Sequence, residues 1–144
     1  DLDGDGHAEL VVIAPFHGDS LLVYRETAGE YAFEAQIPHA SGFLHAIWSG
    51  EIGGHPVALI GGRSGEKELL AIWYENGTYR TCVCEKGYGA SNICVAGDTV
   101  LIANREAGEC AAFRLKSEQD CCVRPLRVGT RAGNGSQGSR GKRS

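Results

Sequence analysis

Short apolar runs separated by Gly, Asp and Asn punctuate the chain. "ELVVIAPF", "SLLVYRE" and "YAFEAQI" come first, divided by "HGD" and "TAGE". "FLHAIWSG", "PVALIGG", "ELLAIWYE" and "YRTCVCE" follow, divided by "EIGGH", "RSGEK" and "NGT". A third set reads "SNICVA", "TVLIAN", "CAAFRL" and "CCVRPL". Runs this short, rich in Val, Ile, Leu, Tyr and Phe and bounded by turn residues, predict strands, and no stretch carries a helical period. Asn76-Gly77 predicts a tight hairpin between two of them.

The three sets superpose. "GHAELVVIAPFHGDSLLVYRETAGEYAFEAQI" aligns with "GHPVALIGGRSGEKELLAIWYENGTYRTCVC" and with "GDTVLIANREAGECAAFRLKSEQDCCVRPL". Gly6-His7 and Gly54-His55 are 48 residues apart, and Gly97-Asp98 follows 43 residues later. A period of about 45 residues with four short strands per unit is the pattern of β-propeller blades. The second strands, "LVVI" and "VALI", are apolar on both faces. A sheet with one wet face would alternate, whereas a sheet packed between two neighbours does not. The predicted fold is therefore all-β, a partial propeller of three four-stranded antiparallel blades at 1–38, 43–86 and 90–126. Its first blade lacks the innermost strand. Three blades do not close a ring, since propellers have about four to eight. The rest of the ring is expected from a longer polypeptide or from assembly. A small β-sandwich is the alternative fold.

Charge divides the chain. All 18 acidic residues lie in 1–123 together with 8 of the 14 Lys and Arg, so this body carries 8 − 18 = −10. The remaining residues hold 6 basic groups and no acid, five of them in the Gly/Ser-rich "RVGTRAGNGSQGSRGKRS". Residues 127–144 are accordingly expected to be a disordered basic tail. An acidic body is a poor partner for nucleic acid. No run reaches the roughly 18 apolar residues of a membrane span. The first residue is not Met and the chain opens inside a motif, so it reads as a fragment. The six cysteines form no C-x-x-C, which argues against structural zinc. They are expected to be small buried apolar side chains, with Cys82 and Cys84 on one strand face. Disulfides stay open, and with them the compartment.

The opening "DLDGDGHAEL" is the densest chemistry. Asp1, Asp3, Asp5 and Glu9 place carboxylates at loop positions 1, 3, 5 and 9, and the backbone carbonyl of His7 supplies a further oxygen. Hard divalent cations take such oxygens. Ca2+ accepts irregular angles, whereas Mg2+ demands a near-ideal octahedron. Gly4 and Gly6 let the backbone turn around an ion. An EF-hand would need an acid at position 12 and a helix, but Val12 stands there and a strand begins at Glu9.

The loop resembles the D-x-D-x-D-G-x-x-D calcium loop of FG-GAP (VCBS) repeats, the blade repeat of integrin α-chain propellers. The resemblance is specific over the loop and looser over 1–126. It implies Ca2+ held by Asp1, Asp3, Asp5, His7 and Glu9, with Glu in place of the usual Asp at the last position. The equivalent loops "EIGGHPV" and "VAGDTV" lack the carboxylates, so one ion is expected. The resemblance also implies a structural ion and tilts the compartment toward an extracytoplasmic one.

Blade geometry predicts that the other loops gather on the opposite rim. These carry His17, Asp19, His39, His45, Arg63, Asn92, Asn104 and Arg105. His17, His39, His45, Arg63, Asn92 and Arg105 are the candidate ligand contacts, for a protein or carbohydrate ligand. His45, His17 and Arg63 are the candidates for catalysis, a His as base and an Arg stabilising an enolate. No G-x-S-x-G, Walker loop, H-E-x-x-H or dinucleotide fingerprint occurs. A calcium-stabilised binding module is the leading reading. A propeller lyase, dehydratase or hydrolase acting on carbohydrate, and a purely structural domain, are the alternatives. Other blades or flanking domains are the expected partners.

Overall fold

Strand formation follows the punctuation closely. The computed structural model describes residues 1–114. It holds β1 (Leu10–Ala14), β2 (Ser20–Thr27), β3 (Glu30–Gln36), β4 (Leu44–Ile52) and β5 (His55–Gly62). β6 (Leu69–Glu75), β7 (Thr78–Glu85), β8 (Ala90–Ala96), β9 (Thr99–Asn104) and β10 (Glu109–Arg114) complete it. Among the described residues there is no helix, and so none long and apolar enough to cross a membrane. Asn76 and Gly77 both take positive φ, 52° and 80°, as the tight β6–β7 hairpin requires. The expected strand "CCVRPL", Cys121, Cys122 and the basic tail at 127–144 lie outside the described residues.

The strands form three antiparallel sheets, β1-β2-β3, β4-β5-β6-β7 and β8-β9-β10. The first lacks the position that β4 fills in the second, as the repeat predicts. The four-stranded sheet lies between the other two. On β5, Ala58 and Ile60 face the first sheet and join Leu21, Val23, Ile37, Leu70 and Ile72 in one core. Val57 and Leu59 face the third sheet and join Leu69, Ala90, Ile93, Val100, Ile102 and Phe113 in the other. Strict alternation sends successive β5 side chains into different cores, so a strand without a wet face must be apolar throughout. Leu59 and Ile60 are both fully buried. Each such burial contributes about 1.5–3 kcal/mol.

The outer faces differ. Leu10, Tyr24 and Phe33 align across the first sheet, with Leu10 46% and Phe33 60% exposed. On the third sheet Cys94 pairs with Leu101 and Cys110 with Ala103, and both thiols are exposed. The expectation of buried cysteines therefore fails for Cys94 and Cys110, because both fall on the face turned away from the second sheet. Cys84 is buried, and its Sγ lies 3.9 Å from that of Cys82 on the same face of β7.

Candidate functional site

The opening loop folds on its own carboxylates. Asp3 Oδ1 accepts the Asp5 amide at 3.1 Å, Asp5 Oδ1 the His7 amide at 2.8 Å, and Asp1 Oδ2 the Gly6 amide at 3.0 Å. Aspartates favour such local turns. Gly4 and Gly6 supply the positive φ, 77° and 91°, that the winding needs. Buried Leu2 anchors the loop, and its amide donates to Glu9 Oε2 at 2.5 Å.

Five ligand positions were expected, and side chains from three of them converge. Asp1, Asp3 and Glu9 each offer an oxygen within 4.8 Å of the others. A calcium ion takes oxygens at about 2.3–2.6 Å, so two oxygens on one ion stand up to roughly 5 Å apart. The cluster fits that dimension. The Glu9 side chain is wholly buried, and its Oε1 has no hydrogen-bond partner. A buried carboxylate oxygen in that state is costly unless a cation stands near it, and the Arg25 guanidinium at 3.6 Å supplies part of that charge without a hydrogen bond. Beside the cluster lies a cleft of about 430 Å3, lined by Asp1 and Glu9 with Glu51 and Pro56 of the second sheet. Asp5 lies outside the three-carboxylate group. The His7 imidazole is exposed and lies 3.9 Å from Glu26, so its side chain takes no part.

Arg25 occupies the flank of this cluster and was not expected from the sequence. Leu10 pairs with Tyr24, so the next step along the ladder sets Glu9 across from Arg25. Arg25 Nη1 donates to Asp3 Oδ2 and, at 3.1 Å, to Asp5 Oδ2, and stands 3.6 Å from Glu9 Oε1. Burial alone would raise the Asp3 carboxyl. Hydrogen bonds from Arg25 and the Asp5 amide outweigh it and hold the group below its ordinary range. The same bond to Asp3, with one to Glu34, pushes the guanidinium further up.

Glu34 carries the network to the second sheet. It accepts Arg25 Nε at 2.9 Å and the Tyr79 hydroxyl at 2.6 Å. A β-bulge explains its aim, since the β2–β3 register shifts where Val23 pairs with Ala35 but Tyr24 with Phe33. The Arg25 guanidinium also lies 5.7 Å from the Tyr74 ring centre.

At the other end of the strands the expected rim residues divide. The His17 and His45 rings are 4.5 Å apart, with Phe43 5.0 Å from His17. Two backbone bonds hold this end together, Leu44 N to Gly18 O at 2.9 Å and Arg63 N to Phe43 O at 2.7 Å. Arg63 Cζ lies 5.7 Å from the Phe43 ring centre, and its Nε donates to Glu106 at 2.9 Å. Phe16 stacks on His17 and is 86% exposed. Burial, then the charges of Arg63 and His17, pushes the His45 imidazolium below its ordinary range. The His45 Nδ1 is buried without a hydrogen-bond partner.

The remaining rim candidates do not join this group by contact. His39 is half-buried with its Nδ1 enclosed, and among the described residues it makes no ring contact. Asn92 is exposed, and its side-chain oxygen accepts the Ile93 amide at 2.9 Å. Asn104 is buried and binds the Ala107 amide at 3.2 Å, a turn-holding role. Arg105 and Asp19 are exposed, and the charge of Arg105 acts on His45. Sequence reasoning missed Phe16, Phe43 and Glu106, although Phe43 stands two residues from His45.

Comparison with known proteins bears on the loop end. No curated protein and no solved structure matches the chain. The family model described as FG-GAP repeat matches residues 1–30. That span takes in the carboxylate loop, β1, β2 and the turn into β3. The chain carries an FG-GAP repeat at its opening loop and first strand pair.

Proposed function

We propose that this chain is a calcium-stapled part of an FG-GAP β-propeller, with blades at 1–38, 43–86 and 90–126, acting as a ligand-binding module. The carrying observation is the wholly buried Glu9 carboxylate, with one oxygen outside any hydrogen bond, beside Asp1 and Asp3. Asp1, Asp3 and Glu9 would hold the ion, with Asp5 and the His7 carbonyl as further oxygens from the same loop. Bound there, calcium would supply charge neutralisation and a fixed turn before β1. The exposed Leu10 and Phe33 face supports further blades or domains as partners.

Ligand binding is assigned to the rim end, where Phe16, His17, Phe43, His45 and Arg63 meet. A protein loop or a carbohydrate suits an exposed aromatic beside imidazole and guanidinium groups. The Glu106 pairing of Arg63 favours binding over lyase chemistry, because a guanidinium already held by a carboxylate is a poor stabiliser for an enolate.

The test is thermal unfolding with Ca2+ and with chelator, for wild type, Asp3→Ala and Glu9→Gln. Calcium at a hundredfold excess over its dissociation constant stabilises by about 2.7 kcal/mol. Wild type should gain in melting temperature and both variants should lose the gain. Equal wild-type melting in the two conditions would sink the calcium assignment. A peptide and glycan panel, with His45→Ala as control, tests the rim. Binding that survives unchanged in His45→Ala would move the ligand site elsewhere.

A further inference from the structure

We infer that Arg25 is a tethered counter-cation that sets how tightly the opening loop holds calcium, an inference that rests on the calcium reading above. Its Nη1 touches the carboxylates an ion would need: a hydrogen bond to Asp3 Oδ2, one to Asp5 Oδ2 at 3.1 Å, and 3.6 Å to Glu9 Oε1. The site is partly shielded from solvent, with side-chain exposures of 23% for Arg25, 9% for Asp3 and 0% for Glu9, while Asp5 at 43% faces water. Salt screens charges poorly in such a place, so a guanidinium and a divalent cation repel strongly there.

Both Asp3 oxygens are already engaged, each with a lone pair left over. Its Oδ1 accepts the Asp5 amide at 3.1 Å and its Oδ2 accepts Arg25. An ion using Asp3 Oδ2 and Glu9 Oε1 competes with the guanidinium for Asp3 and repels it from the neighbourhood of Glu9. Arg25 does not then swing away, because Glu34 holds its Nε at 2.9 Å and the Tyr74 ring lies 5.7 Å from its Cζ. The displaced positive charge stays close and opposes the ion continuously. Arg25 therefore neutralises part of the loop's charge without calcium, and the loop binds calcium more weakly than three unopposed carboxylates would. Glu34 also accepts the Tyr79 hydroxyl, so the movement is felt at the contact with the second sheet.

The test is calorimetric titration of the full chain with CaCl2, for wild type, Arg25→Gln and Arg25→Lys. Arg25→Gln should bind about tenfold more tightly, and Arg25→Lys, which keeps the charge, should stay within about threefold of wild type. Unchanged or weaker binding by Arg25→Gln would overturn the role of Arg25 while leaving the calcium reading standing. No binding by any of the three would remove the calcium reading and this inference with it. A wild-type measurement covers a variant that fails to fold. The Arg25 Nε–H resonance should shift on saturation with Ca2+, and a resonance that stays in place overturns the proposal.

Discussion

The Tyr79 hydroxyl of the second sheet donates a 2.6 Å hydrogen bond to Glu34 of the first, and Glu34 in turn holds Arg25 at 2.9 Å. With the Tyr74 ring beside the Arg25 guanidinium, this bond ties the two sheets together at the end where the carboxylate loop sits.

Tyr79→Phe removes one partner of that bond and leaves the ring. A hydrogen bond to a charged acceptor contributes about 1.5–3 kcal/mol, and less where the pair is partly exposed. A loss of about 1 kcal/mol in chemical denaturation is expected. The pH dependence follows from the raised phenol, caused by burial first and the Glu34 bond second. The folded state holds this proton more tightly than the unfolded chain does. Its contribution is therefore complete below the ordinary phenol value of 10.0 and declines as pH rises past it. Wild type should lose stability above that pH more steeply than Tyr79→Phe, and parallel curves would refute the linkage.

His45 offers a second pH test at the opposite end. Its imidazole titrates below the ordinary 6.5 because of burial, then Arg63, then His17. The folded state thus resists a proton that the unfolded chain accepts, so stability falls as pH drops below that value. An NMR titration should place the His45 midpoint below 6.5, and Arg63→Gln should raise it. A midpoint at or above 6.5 in wild type would contradict the packing described.

Leu59→Ala and Ile60→Ala test the middle position of the second sheet. The two residues are neighbours in sequence but belong to different cores. Each truncation should cost about 2–4 kcal/mol in urea denaturation. A near-neutral result for either would mean that one face of β5 is wet.

Gly61 stands where the second and third sheets pack closely. A Cβ added there would meet the Ala90 Cβ at 2.6 Å and the Ala90 carbonyl oxygen at 2.9 Å. Gly61→Val should destabilise by about 1–3 kcal/mol through overpacking. Gly77→Ala acts differently, since it meets no neighbour within 4 Å and is disfavoured by its φ of 80° alone. Wild-type stability in Gly61→Val would show that the sheets stand further apart.

The strands were legible because their signals are local. Apolar runs, turn glycines and Asn76-Gly77 each act over a few residues, and the aligned repeats added the four-strand unit. The loop was legible for the same reason, since its carboxylates and glycines are contiguous. What escaped depended on pairing across strands. Arg25 reaches the loop from 16 residues beyond Glu9 through the β1–β2 register. Glu34 reaches it only because a bulge resets its strand. Asp5 has the spacing of a ligand, yet its side chain lies outside the close carboxylate group and takes up Arg25 instead. At the other end of the strands, loop membership placed His17, His45 and Arg63 together, and in the structure all three lie around Phe43. It could not tell them from Asn104, which is buried holding its own turn.

The placement of β5 also bears on how the molecule comes apart. Its residues 58–61 pair with β4 on one side and β6 on the other, and its two faces lie in two different cores. No fraying of an edge can expose it without first stripping a neighbour. The β5 amides should therefore be the last to exchange with heavy water, at a rate set by global opening, while β1 and β3 exchange early. The middle of the repeat array would then report the survival of the whole, and the carboxylate loop only the survival of one edge.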